Sequence, residues 1–302
     1  MASQPAVVVT LDGGLHDPGA PLLYADDLAA VRGDGIFETL LIRDGRPCLL
    51  EAHLGRLTQS AAMMDLPAPD PPQWRAAVEK AVGRWLADGG GEGVLRLVYS
   101  RGRESGSPPA GAGGQATSGT AFATIGALAA RVADARSGGV AAVTLARGLS
   151  AEGTTDMPWL LAGAKTLSYA VNMAALRHAD QLGAGDVIFV GSDGLILEGP
   201  RSTVVIATER DGVPTLLTPP PWFPILRGTT QQALFDVARS KGYTCEYEAL
   251  RPADLSAAQG VWLVSSITLA ARVHTLDGTA LPPAALAGEI AELVDAAIVS
   301  DR

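Results

Sequence analysis

The chain has 302 residues, 47% of them hydrophobic and 5% aromatic, enough to bury one large core or two smaller ones. Its 23 basic against 32 acidic residues leave a formal net charge of −9, which argues against nucleic acid or an anionic membrane as the main partner. No run approaches the roughly 18 apolar residues that span a bilayer, and Met1 to Pro5 lacks a basic segment followed by an apolar one, so a soluble, cytoplasmic protein is expected. Cys48 and Cys245 have no metal-type spacing and read as reduced, packed thiols.

Val7 to Leu11 is a short strand-forming run closed by the turn Asp12-Gly13-Gly14. Ile36 to Ile42, the turn Asp44-Gly45 and Pro47 to Leu50 read as a hairpin. An amphipathic helix is expected from Glu51 to Asp65, with Leu54, Leu57, Ala61 and Met64 on one stripe, and a second from Gln73 to Ala87, stopped by Gly89. Val94 to Ser100 alternates as a strand with Arg96 in its middle. Arg103 to Gly119, rich in Gly, Ser, Pro and Ala, reads as a loop, and Thr120 to Leu128 as the returning strand.

These elements form an expected first domain over residues 1–128, followed by a linker at 129–139 and a second domain over 140–302. The second opens with a strand from Val140 to Leu145 and a helix from Lys165 to Gln181 stopped by Gly183. Asp186 to Val190 and Leu195 to Glu198 read as a hairpin. Thr203 to Ala207 and Thr215 to Thr218 are further strands. Helices are expected at Thr229 to Lys241 and Pro283 to Val299, with strands at Val261 to Ser265 and Val273 to Leu276. The fold class is α/β, with mixed sheets and helices in both of two domains.

The residues that suggest chemistry lie mostly in the second half. Lys165 is the one cation of Gly163-Ala164-Lys165-Thr166-Leu167-Ser168-Tyr169-Ala170-Val171-Asn172. Desolvated, its amine would be a nucleophile suited to Schiff-base chemistry. The plainer reading is a helix-start lysine whose stem packs while its head reaches water. Glu198 ends a strand and either points into a cleft or is a solvated turn acid. Arg227-Gly228-Thr229-Thr230 precedes a helix, where glycine, hydroxyls and N–H groups make either a phosphate seat or an ordinary cap. Ser265-Ser266-Ile267-Thr268 offers hydroxyls to a phosphate or to the backbone. In the first half Arg56 is either a phosphate-binding guanidinium or a surface arginine. An amine, a carboxylate, an anion seat and an arginine together match the needs of pyridoxal 5′-phosphate.

Six motifs carry a resemblance: Gly33-Asp34-Gly35-Ile36-Phe37-Glu38-Thr39, His53 to Leu57, Lys165 to Asn172, Leu197-Glu198-Gly199, Ile225 to Thr230 and Ser265 to Thr268. In them the chain resembles the class IV aminotransferase-type, fold-type IV pyridoxal-phosphate family, and within it most resembles the aminodeoxychorismate lyases. The resemblance implies a two-domain fold like that of D-amino acid aminotransferase, a pyridoxal 5′-phosphate cofactor, an amino substrate and a homodimer. It implies that Lys165 binds the cofactor and shuttles protons, that Glu198 pairs with the pyridine nitrogen, and that Arg56, Gly228, Thr229, Thr230 and Ser266 hold the phosphate. Tyr169 would meet the ring's phenolic oxygen. Thr39 would lie near a departing pyruvate, and Arg96 either meets a substrate carboxylate or pairs with a surface acid.

The chain departs from the family after its glutamate. Gly199-Pro200-Arg201-Ser202-Thr203 stands where a small residue and Ser-Asn are usual, which leaves open the side chain that contacts the cofactor there. The expected activity is elimination of pyruvate from aminodeoxychorismate to give 4-aminobenzoate, a folate precursor. A D-amino acid or branched-chain aminotransferase is the alternative, and a binding module without chemistry is a third reading. Substrate contacts are expected on loops, including Arg103 to Gly119 and the stretch around Met157-Pro158-Trp159.

Overall fold

The computed structural model of the protein describes residues 5–106, 119–153 and 156–300. The chain divides into two compact units, Met1–Ala129 with Ala164–Tyr169, and Ala130–Gly163 with Ala170–Arg302.

The first unit is built on one antiparallel sheet. It contains β1 (Pro5–Thr10), β2 (Leu15–His16), α1 (Leu28–Arg32), β3 (Gly35–Arg43), β4 (Arg46–Pro47), α2 (Leu50–Met63), α3 (Pro71–Ala87), β5 (Gly93–Ser100) and β6 (Thr120–Ala127). The strand order is β2-β1-β6-β5-β3-β4. Alternation along the strands separates two faces. Ile36, Glu38 and Leu40 pair with Tyr99, Leu97 and Leu95, and all six are buried. They share that side with Leu54, Leu57 and Ala61 of α2 and Trp74 and Val78 of α3, all buried as well. The opposite face carries Phe37, Thr39, Val98, Phe122 and Thr124, all half-buried, and the exposed Arg96.

One edge of β3 is completed by chain from far along the sequence. Phe37 N–H donates to Lys165 O (3.0 Å) and Leu167 N–H to Gly35 O (2.8 Å). Lys165 to Tyr169 is therefore not the first turn of a helix. Its backbone groups pair with β3, and the helix begins at Ala170. The crossing explains a glycine of the Gly-Asp-Gly motif. A Cβ at Gly35 would lie 2.7 Å from Leu167 Cδ1 and 2.7 Å from Tyr99 O, closer than any real side chain sits.

The second unit contains α4 (Ala130–Gly138), β7 (Val140–Ala146), a 3-10 turn at Pro158–Leu160, α5 (Ala170–Gln181), β8 (Asp186–Val190), β9 (Thr203–Arg210) and β10 (Val213–Thr218). It continues with α6 (Thr229–Ser240), β11 (Thr244–Tyr247), α7 (Pro252–Ala257), β12 (Gly260–Ser265), β13 (Leu269–Leu276), β14 (Thr279–Ala280) and α8 (Ala287–Ala297). The sheet order is β11-β10-β9-β12-β13-β7-β8, with β14 on β13. The β10–β11, β13–β7 and β7–β8 pairs are parallel and the others antiparallel. Successive residues of β8 enter different cores. Ile188 packs with Val204, Ile206 and Leu263, whereas Val187 and Phe189 pack with Ala175, Ala179 and Leu197. A sheet covered on both faces explains why its strands read as continuous apolar runs.

Three further expectations change. The stretch 129–139, expected as a linker, holds α4, which buries Val132 and Ala135. The arm Pro47 to Leu50 pairs for only two residues, because Leu49 turns left-handed (φ 53°) and α2 starts at once. The arm Leu195 to Glu198 meets β8 through an isolated bridge, Val190 to Ile196, and through Leu197 N–H to Phe189 O and Phe189 N–H to Glu198 O. Of the loop expected at Arg103 to Gly119, residues 107–118 lie outside the described residues.

Candidate active site

The first unit holds a buried ion cluster. His53 and Arg56, three residues apart on α2, face one carboxylate on β3. Glu38 accepts Arg56 Nε at 2.8 Å on Oε1 and Nη2 at 2.6 Å on Oε2, and His53 Nδ1 lies 2.7 Å from Oε2. Glu38 is 0% exposed and Arg56 8%. Burial pushes the Glu38 carboxyl up, but the Arg56 guanidinium and its hydrogen bonds, then His53, outweigh it and hold the group ionised well below the usual range. His53 is lowered by burial more than Glu38 restores it. A neutral imidazole facing an ionised carboxylate must donate from Nδ1–H. Arg56, expected at a phosphate, thus has Nε and Nη2 committed to Glu38.

Lys165 is half-buried on the edge of β3. Its N–H donates to Ser60 Oγ of α2 (3.1 Å), and its Nζ lies 4.6 Å from the centre of the Phe37 ring. Phe37 in turn meets Tyr169 edge-on at 5.4 Å. The amine therefore sits against an aromatic face, while the residue's own N–H and C=O are anchored by Ser60 Oγ and Phe37 N–H. Thr39 and Arg96 are direct partners across β3 and β5, so their side chains share the open face of the sheet.

In the second unit Glu198 Oε2 accepts Leu226 N–H (3.0 Å) from the segment that leads into α6. The turn after Glu198 is anchored at three places. Gly199 N–H donates to Ser202 O (2.8 Å), Asn172 Nδ2 of α5 to Pro200 O (2.8 Å), and Arg201 Nη2 to Asp186 Oδ2 (3.3 Å). Burial raises the Asp186 carboxyl despite Arg201. Arg201, one of the residues that depart from the family pattern, points at Asp186, and Ser202 Oγ is buried with no hydrogen-bond partner.

Helix α6 starts after Gly228, which offers no side-chain cap to its first N–H groups. Glycine is required there, since a Cβ would collide with Thr203 Oγ1. Thr229 and Thr230 are buried, and Thr230 Oγ1 lies 3.4 Å from Ser266 Oγ. Gly228, Thr229, Thr230 and Ser266 are thus gathered at one helix start. A cavity of about 260 Å³ runs along the flank of α6 that carries Gln231, Gln232, Phe235, Asp236 and Arg239, and Thr229, Thr230 and Ser266 do not line it. Sequence reasoning placed Glu38, His53 and Asn172 in the family motifs without giving them a role, and gave none to Asp186 or Leu226. A carboxylate between apolar residues of a strand and a histidine three positions before an arginine were the available signals for the first two.

The amino-transferase class IV family model matches residues 35–276. The chain belongs to that family. It is 67% identical over 299 residues to a Mycobacterium tuberculosis protein described as a bifunctional aminodeoxychorismate lyase / D-amino acid transaminase, covering 98% of this chain and 100% of the relative. A Bacillus licheniformis D-alanine aminotransferase is 26% identical, covering 89% of this chain and 88% of the relative. Among solved structures, the pyridoxal-phosphate-bound form of a hypothetical aminotransferase from Mycobacterium tuberculosis matches with a TM-score of 0.92 and 67% identity, covering 98% of this chain and 100% of that one. A fold IV transaminase from Curtobacterium pusillum matches with a TM-score of 0.86 and 39% identity, over 96% and 97%.

The family works with pyridoxal 5′-phosphate, and this chain's residues fit that group. An uncapped helix start with adjacent hydroxyls suits a phosphate ester. A half-buried lysine amine suits the aldehyde, and a carboxylate fixed by a backbone N–H suits a ring nitrogen.

Proposed function

We propose that this class IV enzyme is an aminodeoxychorismate lyase, eliminating pyruvate to leave 4-aminobenzoate, with D-amino acid transamination as a second activity of the same site. Full-length 67% identity to the bifunctional mycobacterial protein carries this reading. The 26% identical D-alanine aminotransferase favours keeping the second activity.

When bound, pyridoxal 5′-phosphate supplies an electron sink for the substrate carbon that bears nitrogen. Lys165 would hold the aldehyde end, and its Nζ, when free, would move the proton at that carbon. Glu198 keeps the pyridine nitrogen protonated. Backbone N–H groups at Thr229 and Thr230 after Gly228, with the Thr230 and Ser266 hydroxyls, would hold the phosphate, and Arg56, whose charge Glu38 balances, would add little. Tyr169 donates to the phenolic oxygen. Arg96 pairs with a substrate carboxylate, and Thr39, its neighbour across the strands, joins Lys165 in returning a proton to the departing enolpyruvate. We read the working assembly as a cytoplasmic homodimer, checked by light scattering.

Purified protein given aminodeoxychorismate and no keto acid should release pyruvate and 4-aminobenzoate in equal amounts; absence of both products sinks the lyase reading. D-Alanine with 2-oxoglutarate tests the second activity. Lys165→Ala should abolish the visible absorption band of the lysine-bound cofactor, and an unchanged band would place the reactive amine elsewhere.

A further inference from the structure

The turn that carries Ser266 joins β12 to β13 and is held more firmly than a surface hairpin requires. Ser265 and Leu269 pair across it. Ser265 Oγ lies 2.7 Å from Thr268 Oγ1 and accepts Thr268 N–H at 3.2 Å. Leu269 closes the turn in the left-handed region (φ 57°), a conformation that leucine seldom adopts and that persists only where surrounding contacts enforce it.

The strongest of those contacts comes from α4. Arg136 Nε (3.0 Å) and Nη2 (2.6 Å) both donate to the carbonyl oxygen of Ile267, the residue after Ser266. Two charge-assisted bonds from one guanidinium to one oxygen tie the Ile267 carbonyl to α4. The guanidinium is presented from a seated element, because α4 buries Val132 and Ala135. Beyond the pinned peptide, Ser266 Oγ meets Thr230 Oγ1 at the start of α6.

We propose that Arg136 is a positioning residue of the phosphate seat: it fixes the Ser265–Thr268 turn so that the Ser266 hydroxyl is presented beside the first turn of α6. The proposal rests on the reading of that helix start as the holder of the cofactor's phosphate. Arg136 acts through the Ile267 carbonyl and not by touching the phosphate. Its effect should therefore fall on the phosphate end of the cofactor and spare the ring end, where Lys165 and Glu198 act.

The test compares pyridoxal 5′-phosphate with pyridoxal, the same ring without phosphate, by spectroscopic titration of the full-length apoprotein. The readout is the ratio of the two dissociation constants. Arg136→Met keeps the aliphatic stem and removes both donors. It should reduce the preference for the phosphorylated form about tenfold while leaving pyridoxal binding within about twofold. Arg136→Lys, which keeps the charge but not the fork, should reduce it about threefold. Equal weakening of both ligands would mean a general structural role and would overturn the proposal, as would an unchanged ratio. If the methionine variant does not fold, the lysine variant decides by the same ratio. A wild-type protein with no preference for the phosphorylated ring would overturn the phosphate seat itself, a result distinct from a wild-type preference that the variants retain.

Discussion

The two units treat their buried polar groups in opposite ways. In the first, Glu38, His53 and Arg56 form a closed ionic cluster in which the carboxylate is satisfied by its neighbours. In the second, the start of α6 has no side-chain cap, and Ser202 Oγ and Gln231 Nε2 are buried without a hydrogen-bond partner. A cluster that satisfies itself is stable without a ligand. A helix start rich in donors is improved by an anion. On the proposed reading, the contrast favours backbone N–H groups and hydroxyls of the second unit over Arg56 as the main holders of a phosphate.

The comparison breaks most sharply at Glu38. Glu38→Ala removes the carboxylate that Arg56 and His53 share in the interior and should cost about 3–5 kcal/mol in denaturant unfolding of the apoprotein. A loss below about 1 kcal/mol would mean that the cluster is not closed. Next in size is Gly228→Ala, whose methyl group collides with Thr203 Oγ1. It should cost about 1–3 kcal/mol and lower cofactor retention on dialysis. Adding Thr203→Ala should restore part of both, and no restoration would discount the collision.

The cluster also predicts acid sensitivity. His53 is lowered from its ordinary 6.5, so the unfolded chain takes up its proton first, and stability declines as pH falls below that value. Glu38 is lowered from 4.5, so its contribution is present above 4.5 and is lost as pH falls below it. Both effects have the same sign, each approaching about 1.4 kcal/mol per pH unit at its steepest. Unfolding measured from pH 8 to pH 3 should steepen below pH 4.5 more in the wild type than in Glu38→Gln, in which the lowered Asp12, Asp26, Glu51 and Asp193 still titrate. The smallest effect belongs to Asn172→Ala, which removes one hydrogen bond to Pro200 O and should cost about 1 kcal/mol with a modest loss of turnover. Unchanged turnover would show that the Glu198 turn does not need that anchor.

Much of this was legible in the chain. Strand alternation placed Val94 to Ser100 and the apolar stripe placed α2, because burial on one face leaves a periodic signature. Gly228 and the threonines after it were readable because a helix start has its own chemistry. What escaped was decided at long range. Lys165 lies in a stretch that local pattern assigns to a helix, yet its backbone pairs with Phe37. Arg136 lies in a stretch that reads as a linker, yet it reaches Ile267. The pairing of Arg56 with Glu38 spans 18 positions and two kinds of element, and no local pattern announces it.

The Lys165–Leu167 strip has a consequence for biosynthesis. The strip belongs to the first unit, but residues on both sides of it belong to the second. While the chain is being made, the Gly35–Phe37 edge of β3 stays open until more than half of the sequence has emerged. A fragment cut at Ala129 would keep that edge bare permanently, with unpaired N–H and C=O groups ready to recruit a strand from another molecule. The boundary that looks natural for dissecting this protein is therefore one at which its first half becomes prone to aggregate.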